Sequence, residues 1–258
     1  MKKSTQAVLA LAGLVTAVSA SAVEPAVDAI NGKLTLHTGH SETSAMEATL
    51  TAPVTDSLGI QVDLVSGNHE AGNLSAAAGH LFWRNPENAM VGVIGSWHAI
   101  DDFKNYRLGV EAEKFFTNFT AHAIAGYERS EIDTSGYSVA DEDPYLKLKG
   151  SWYANENLAL YAKLNHHHDS SPSETIGFEW QPGYQDFIGF SLYAELDHHD
   201  DAGYRGMFGI RFYLDAGKSL IKRHRSADPD SGYDAMNIAS PAWIAAHSQP
   251  QGCYVFCS

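Results

Sequence analysis

The sequence predicts an all-β fold, an antiparallel up-and-down transmembrane β-barrel of about 12 strands over residues 33–214, with a C-terminal extension. Three observations predict it. From Leu158 to Leu164 the chain alternates strictly: Leu158, Leu160, Ala162 and Leu164 fall on one face, and Ala159, Tyr161 and Lys163 on the other. A lysine in mid-strand requires a wet side. The same alternation recurs from near Lys33 to Leu214 with no amphipathic helical pattern between the repeats, and an export leader precedes the whole series.

The leader reads directly. Lys2 and Lys3 precede the apolar run Ala7 to Val18, and Ser19-Ala20-Ser21-Ala22 offers an A-x-A-like cleavage site, so residues 1–22 are expected to be a signal peptide removed after Ala22. The apolar run is shorter than the about 20 residues of a spanning helix. A short mature segment, 23–32, carries Pro25 and Asn31-Gly32 as breakers before the strands begin. The formal net charge is -14, and loss of Lys2 and Lys3 leaves the exported chain at -16, which argues against a nucleic-acid partner. The two cysteines, Cys253 and Cys257, sit at the C-terminal end, where an exported compartment permits a disulfide; the extended Tyr-Val-Phe spacer allows one only with a turn.

Strands are expected near Lys33–His40, Ala45–Pro53, Leu58–Ser66, Asn73–Arg84, Ala89–Ile100, Asn105–Phe116, Phe119–Arg129, Pro144–Ala154, Leu158–His167, Glu174–Gln181, Phe187–His198 and Tyr204–Leu214. Thr55-Asp56-Ser57, Asn85 to Asn88, Thr117-Asn118, Asn155 to Asn157 and Pro182 to Asp186 are turn-sized. Between them lie generally longer polar stretches such as Ser130 to Asp143 and His168 to Ser173, so long loops are expected at one rim and tight turns at the other.

Alternation alone is equally compatible with a soluble exported β-barrel or sandwich, in which the apolar face points inward. The composition of the polar face decides for a wet, ion-paired lumen: it carries both signs, with Asp63, Arg107, Glu111, Glu113, Glu128, Lys147, Lys149, Lys163, Glu195, Arg205 and Arg211 as the expected lumen lining. Aromatic residues gather at strand ends, at Trp83, Trp97, Phe115, Phe116, Trp152, Tyr153, Trp180, Tyr204 and Phe212, as interfacial girdles do. Leu160 and Leu192 then face lipid, while Tyr161 and Ser191 are expected on a tolerant, watery side.

The last expected strand contains Gly209-Ile210-Arg211-Phe212-Tyr213-Leu214, which resembles the assembly signal ending many outer-membrane barrels. Here a tail, 215–258, follows it and opens with Lys218-Ser219-Leu220-Ile221-Lys222-Arg223-His224-Arg225 and then Asp228-Pro229. Leader, strand series and extension together resemble a poorly characterised group of porin-like proteins of Gram-negative bacteria. That resemblance implies the cell outer membrane, contact with its lipid, the barrel-insertion machinery as assembly partner, and passage of small solutes. The basic residues of the tail are expected to form a solvated segment or a patch that meets anionic headgroups or peptidoglycan.

Histidine is overused, with 13 copies. Asn165-His166-His167-His168-Asp169 and Asp197-His198-His199-Asp200-Asp201 both lie where a strand enters a loop of the expected long-loop rim, and imidazole with carboxylate suits zinc, copper or nickel. A divalent-metal site there would use His166, His168, His198 and Asp200; no fixed metal motif is present, and a hydrated acidic rim explains the same residues. No other cofactor is expected. Lipid hydrolysis would need a serine bonded to a histidine on the barrel wall. Ser96 and His98 share a face, but the lumen face, and His224-Arg225-Ser226 lies in the tail, so catalysis is not expected. Twelve strands give an intermediate bore, so the expected functions are a porin-like channel for small solutes or a structural barrel with its lumen knitted shut by ion pairs.

Overall fold

Each period-two segment pairs with the next, and the last with the first, so that the sheet closes on itself. A computed structural model describes residues 24–40, 43–69, 72–134, 137–167, 172–182, 189–200, 203–214 and 217–227, with 133–134 and 137–139 described for their backbone alone. The leader 1–22, His168, Cys253 and Cys257 lie outside these residues. The strands are β1 (Asn31–Gly39), β2 (Ser44–Pro53), β3 (Leu58–His69), β4 (Gly72–Asn85), β5 (Ala89–Ile100), β6 (Phe103–Phe116), β7 (Phe119–Thr134), β8 (Tyr137–Asn155), β9 (Leu158–His167), β10 (Ser173–Trp180), β11 (Gly189–His199) and β12 (Gly203–Tyr213). They form one closed antiparallel barrel in chain order, sealed by the β1–β12 ladder from Lys33 opposite Tyr213 to Gly39 opposite Met207. Closure matters because a sheet edge in lipid would leave backbone donors and acceptors without partners, at several kcal/mol each.

Twelve being even, both ends of the barrel chain emerge at one rim, the terminus-side rim. There the turns are built by their own side chains: Thr55 Oγ1 accepts from the backbone N–H of Leu58 at 3.1 Å, Asn85 Oδ1 from Glu87 at 3.0 Å and Asn155 Oδ1 from Asn157 at 2.9 Å. At the opposite, hairpin rim, Asp101 adopts φ 46° and its carboxylate accepts from the Asn73 N–H at 2.9 Å, tying the β5–β6 turn to the start of β4.

The polarity is inside-out. Leu50, Leu64, Val93, Leu108, Leu148, Leu160, Ile176, Leu192 and Phe208 are large apolar side chains on the outer surface, and Leu108 is 71% exposed. Toward the terminus-side rim this band is bordered by Phe116, Phe119, Trp152 and Trp180, and toward the hairpin rim by Trp97, Tyr106, Tyr127 and Tyr204. Aliphatic middle, aromatic borders and charged interior are the arrangement of a membrane barrel and the reverse of a soluble one. Two of the expected girdle aromatics do not belong to it. Phe115 and Tyr153 point inward and are buried, since each stands one residue out of phase with its outward neighbour, Phe116 or Trp152.

One of the expected long loops is not a loop. Ser130 to Asp143 is mostly strand: β7 and β8 continue through it, with Arg129 opposite Glu142 and Ser130 opposite Asp141. Its high polarity belongs to a solvated two-stranded ribbon, in which Arg129 pairs outward with Glu131 at 2.6 Å and Glu142 at 2.8 Å. Most of the expected turn Pro182 to Asp186 lies outside the described residues.

Candidate functional site

All eleven expected lumen residues lie on the inward face. Asp63, Arg107, Glu111, Glu113, Glu128, Glu195 and Arg205 are buried, while Lys147, Lys149, Lys163 and Arg211 are half-buried. The interior is layered. At the hairpin end, Val65, Leu74, Ala76, Ile100, Phe103, Ile132 and Met207 form an apolar layer against the walls of β3 to β7 and β12. Below it the charged residues assemble into networks.

In the first network His80 on β4 lies between two carboxylates. Its Nδ1 donates to Glu111 at 3.0 Å and its Nε2 faces Asp63 Oδ2 at 3.2 Å, with both partners essentially sealed from water. Glu111 is on β6, so it must cross β5 to arrive, and Gly92 provides the gap: a Cβ there would lie 2.7 Å from Glu111 Oε1. Thr49 donates to Asp63 at 2.7 Å and Gln61 at 2.9 Å, so the carboxylate is saturated from β2 and β3 as well. In the second network, Glu128 accepts from Arg107 Nε at 2.8 Å, from Asn105 Nδ2 at 3.1 Å and from His167, which reaches over β8.

The third network belongs to β9 through β12. Glu195 accepts from Lys163 Nζ and from the Tyr161 hydroxyl, each at 2.8 Å, and Lys149 Nζ stands 4.8 Å above the Tyr161 ring. Glu179, fully enclosed, accepts from Arg211, Ser191 and the Tyr213 hydroxyl, the last at 2.6 Å. Arg205 donates to Asp197 at 3.2 Å. Neutralisation of this kind is what permits charge in an interior of low dielectric, where an unpaired ion costs several kcal/mol. His80, Glu179 and His167 are not among the lumen residues expected from sequence, and Tyr161 is expected on the watery face but as a tolerant position rather than a partner of Glu195. Parity with Phe82, Thr175 and Asn165 on their own strands puts His80, Glu179 and His167 inside, but nothing local marks them as partners.

Burial is uneven around the barrel. The sector from β2 to β6 is packed solid, with Gln61, Asp63, His80, His98 and Glu111 almost without water contact. On β8, β9 and β12 the inward Lys147, Lys149, Lys163 and Arg211 remain in reach of water; the Lys163 side chain is 16% exposed and that of Arg211 20%. Cationic groups thus keep some water contact on this side, among buried neighbours such as Tyr145, Tyr161 and Asn165.

The terminus-side mouth is occupied by the chain itself. The N-terminal segment enters with Ala26 N–H donating to Asp56 O at 2.7 Å and Val27 packed against Phe82, Met90 and Phe115, while Arg84 donates to Ala26 O at 3.2 Å. The tail returns as one α-helical turn, α1 (Leu220–Lys222), running into a π-helical turn (Arg223–Ala227). Leu220, Arg223 and Ala227 are buried, which corrects the expectation of a solvated basic segment. The physical reason is that these positions lie on one side of the turns and find an aromatic, carbonyl-lined mouth, where Arg223 stacks on Tyr213 at 4.4 Å and Arg225 donates to Phe116 O at 2.5 Å. Burial lowers the pKa of Arg225 from its ordinary value, with Tyr153 and Glu113 opposing the shift.

Of the expected metal quartet, His166 and His198 point outward from β9 and β11, His198 against the Tyr204 ring at 4.6 Å, and Asp200 is exposed after β11. His168 lies outside the described residues. Among the described residues no three His, Cys, Asp or Glu side chains gather to hold a metal ion. Ser96 and His98 do bond inside the lumen, Oγ to Nε2 at 2.9 Å. His224 and Ser226 do not meet: Ser226 Oγ donates to Lys222 O at 2.7 Å, whereas His224 turns to Tyr153 and Glu179.

No family model matches the sequence, and no curated protein matches it. Solved structures do, among them outer-membrane channels and porins. The chain has an outer-membrane porin-like fold. It is similar to an outer membrane channel from Pseudomonas putida F1, with a TM-score of 0.51 at 13% identity over 76% of this chain and 99% of that one. It is similar to the NanC porin, with a TM-score of 0.50 at 13% identity over 72% and 100%. A structure from a study of in-meso crystallization of membrane proteins gives 0.55 at 10% identity over 77% and 91%. At these identities the likeness is one of fold.

Proposed function

We propose that the barrel is a narrow outer-membrane channel through which small polar solutes cross along the wall of β8 and β9. One observation carries this reading: the interior is knitted by ion pairs, yet Lys147, Lys149 and Lys163 on β8 and β9 are only half-buried and stay in reach of water. A barrel serving only as a scaffold gains nothing from leaving one sector hydrated. The leader supports export, the aromatic borders support insertion, and β12, with Gly209 to Tyr213, is the segment offered to the insertion machinery. The even strand number places both ends of the barrel on the periplasmic side if that machinery acts as it does on other barrels.

Planar-bilayer recording tests the proposal. Purified barrel should give unitary current steps, and Lys147→Glu with Lys149→Glu should move the reversal potential in a salt gradient toward cation preference, because a pore's selectivity follows the sign of the charge facing it. A folded, heat-modifiable barrel without current steps would leave the structural reading in possession.

A further inference from the structure

The terminus-side mouth is crossed by a run of three basic residues that touches walls far apart in the sheet. Arg223 Nε donates to Gln181 Oε1 at 2.9 Å just beyond β10, and its guanidinium stacks on Tyr213 of β12 in room left by Gly189, where a Cβ would lie 2.3 Å from Nη2. His224 places Nδ1 3.0 Å from the Tyr153 hydroxyl of β8 and Nε2 3.3 Å from Glu179 of β10. Arg225 donates to the carbonyls of Phe116 and Phe119, at the turn joining β6 and β7. From β12 round to β6 is half the circumference. Asn31 Nδ2 donates to Ala227 O at 3.4 Å, and Lys218 pairs with Asp28 at 2.9 Å, so the tail also meets the N-terminal segment covering the other side.

We propose that residues 217–227 are a removable plug that sets the conductance of this mouth. The inference rests on the channel reading above and adds what limits it. Its physical basis is that the plug's attachments differ in kind from those of the wall. A strand is held by a full ladder of backbone bonds, whereas the described plug residues are joined to the barrel mainly through side chains, with Ile221 N–H to Glu156 O at 3.1 Å as a backbone contact. The apolar anchor is small: Leu220, with Ile221 beside it, against Tyr153 and Ala159. Release leaves no orphaned charge behind, because Glu179 keeps Arg211, Ser191 and Tyr213 when His224 departs. On leaving, Arg223 and Arg225 exchange ring faces and carbonyls for water, where a guanidinium is well solvated. Two arrangements of the mouth, filled and open, are thus available without breaking the barrel.

The test compares unitary conductance in planar bilayers for the full exported chain, for a chain ending at Leu214, and for the full chain carrying Arg223→Ala, His224→Ala and Arg225→Ala together. Both variants should raise the conductance by about twofold or more, or add a second, higher level, since current follows the narrowest cross-section. Should the shortened chain fail to fold, the triple variant decides, as it removes only side chains at the mouth. Parent and triple variant conducting identically would overturn the plug and leave the channel standing. A silent parent with a conducting variant would support both, and silence of every folded form would overturn the channel reading and the plug with it.

Discussion

Replacing His80 by leucine should cost the barrel about 3–5 kcal/mol, the usual penalty for removing one partner of a buried charge network. The imidazole stands between Asp63 and Glu111, both within 3.2 Å and neither in contact with water. Leucine would leave two carboxylates facing one another across an apolar gap, with Thr49 and Gln61 still donating to Asp63. Urea unfolding of the barrel in lipid vesicles reads the loss. A second set, Asp63→Asn and Glu111→Gln on the leucine background, should recover most of it, because neutral amides remove the uncompensated charge. A single variant within about 0.5 kcal/mol of the parent, the size of an ordinary surface change, would mean that His80 does not hold these carboxylates.

Leu192→Arg should cost about 2–4 kcal/mol, since it sets a cation on the lipid face near the middle of the membrane. The comparison has to be made with an inward position that touches water, and packing decides which. Ser191 is fully buried and donates to Glu179, and Tyr161 donates to Glu195 at 2.8 Å, so neither is the tolerant site that alternation alone would make it. Lys149 is half-buried, and Lys149→Gln should cost less than about 1 kcal/mol, as exposed or partly exposed pairs do. Equal costs for Leu192→Arg and Lys149→Gln in the same unfolding assay would contradict the assignment of the two faces.

The barrel itself was legible in the sequence because its signal is local. Side chains alternate with a period of two wherever a strand is laid down, so the segments around Leu160, Val110 and Leu192 each announce two faces before any partner strand is known. Turn residues such as Thr55, Asn85 and Asn155 separate those segments by chemistry contained in three or four residues. Strand number, closure and the inward set from Asp63 to Arg211 follow from that. The polar ribbon at Ser130 to Asp143 reads as a loop in the sequence because a strand solvated on its outer face looks like one until its partner supplies Glu142 opposite Arg129.

What only the tertiary structure decided depends on distances around the barrel. That Glu111 rather than Glu113 meets His80 depends on the register of β3 to β6 and on the gap at Gly92; a pairing between strands two apart leaves no periodic trace. Whether a twelve-stranded lumen is hollow or filled depends on how side chains interdigitate across it, and here Gln61, Asp63, His80 and Glu111 are sealed from water while Lys147, Lys149 and Lys163 are only half-buried. The seat of the tail is likewise nonlocal. Arg223, His224 and Arg225 read as a solvated basic run because their partners, Gln181, Tyr213, Glu179, Tyr153 and the carbonyls of Phe116 and Phe119, become neighbours only after the barrel closes and brings those strand ends to one rim.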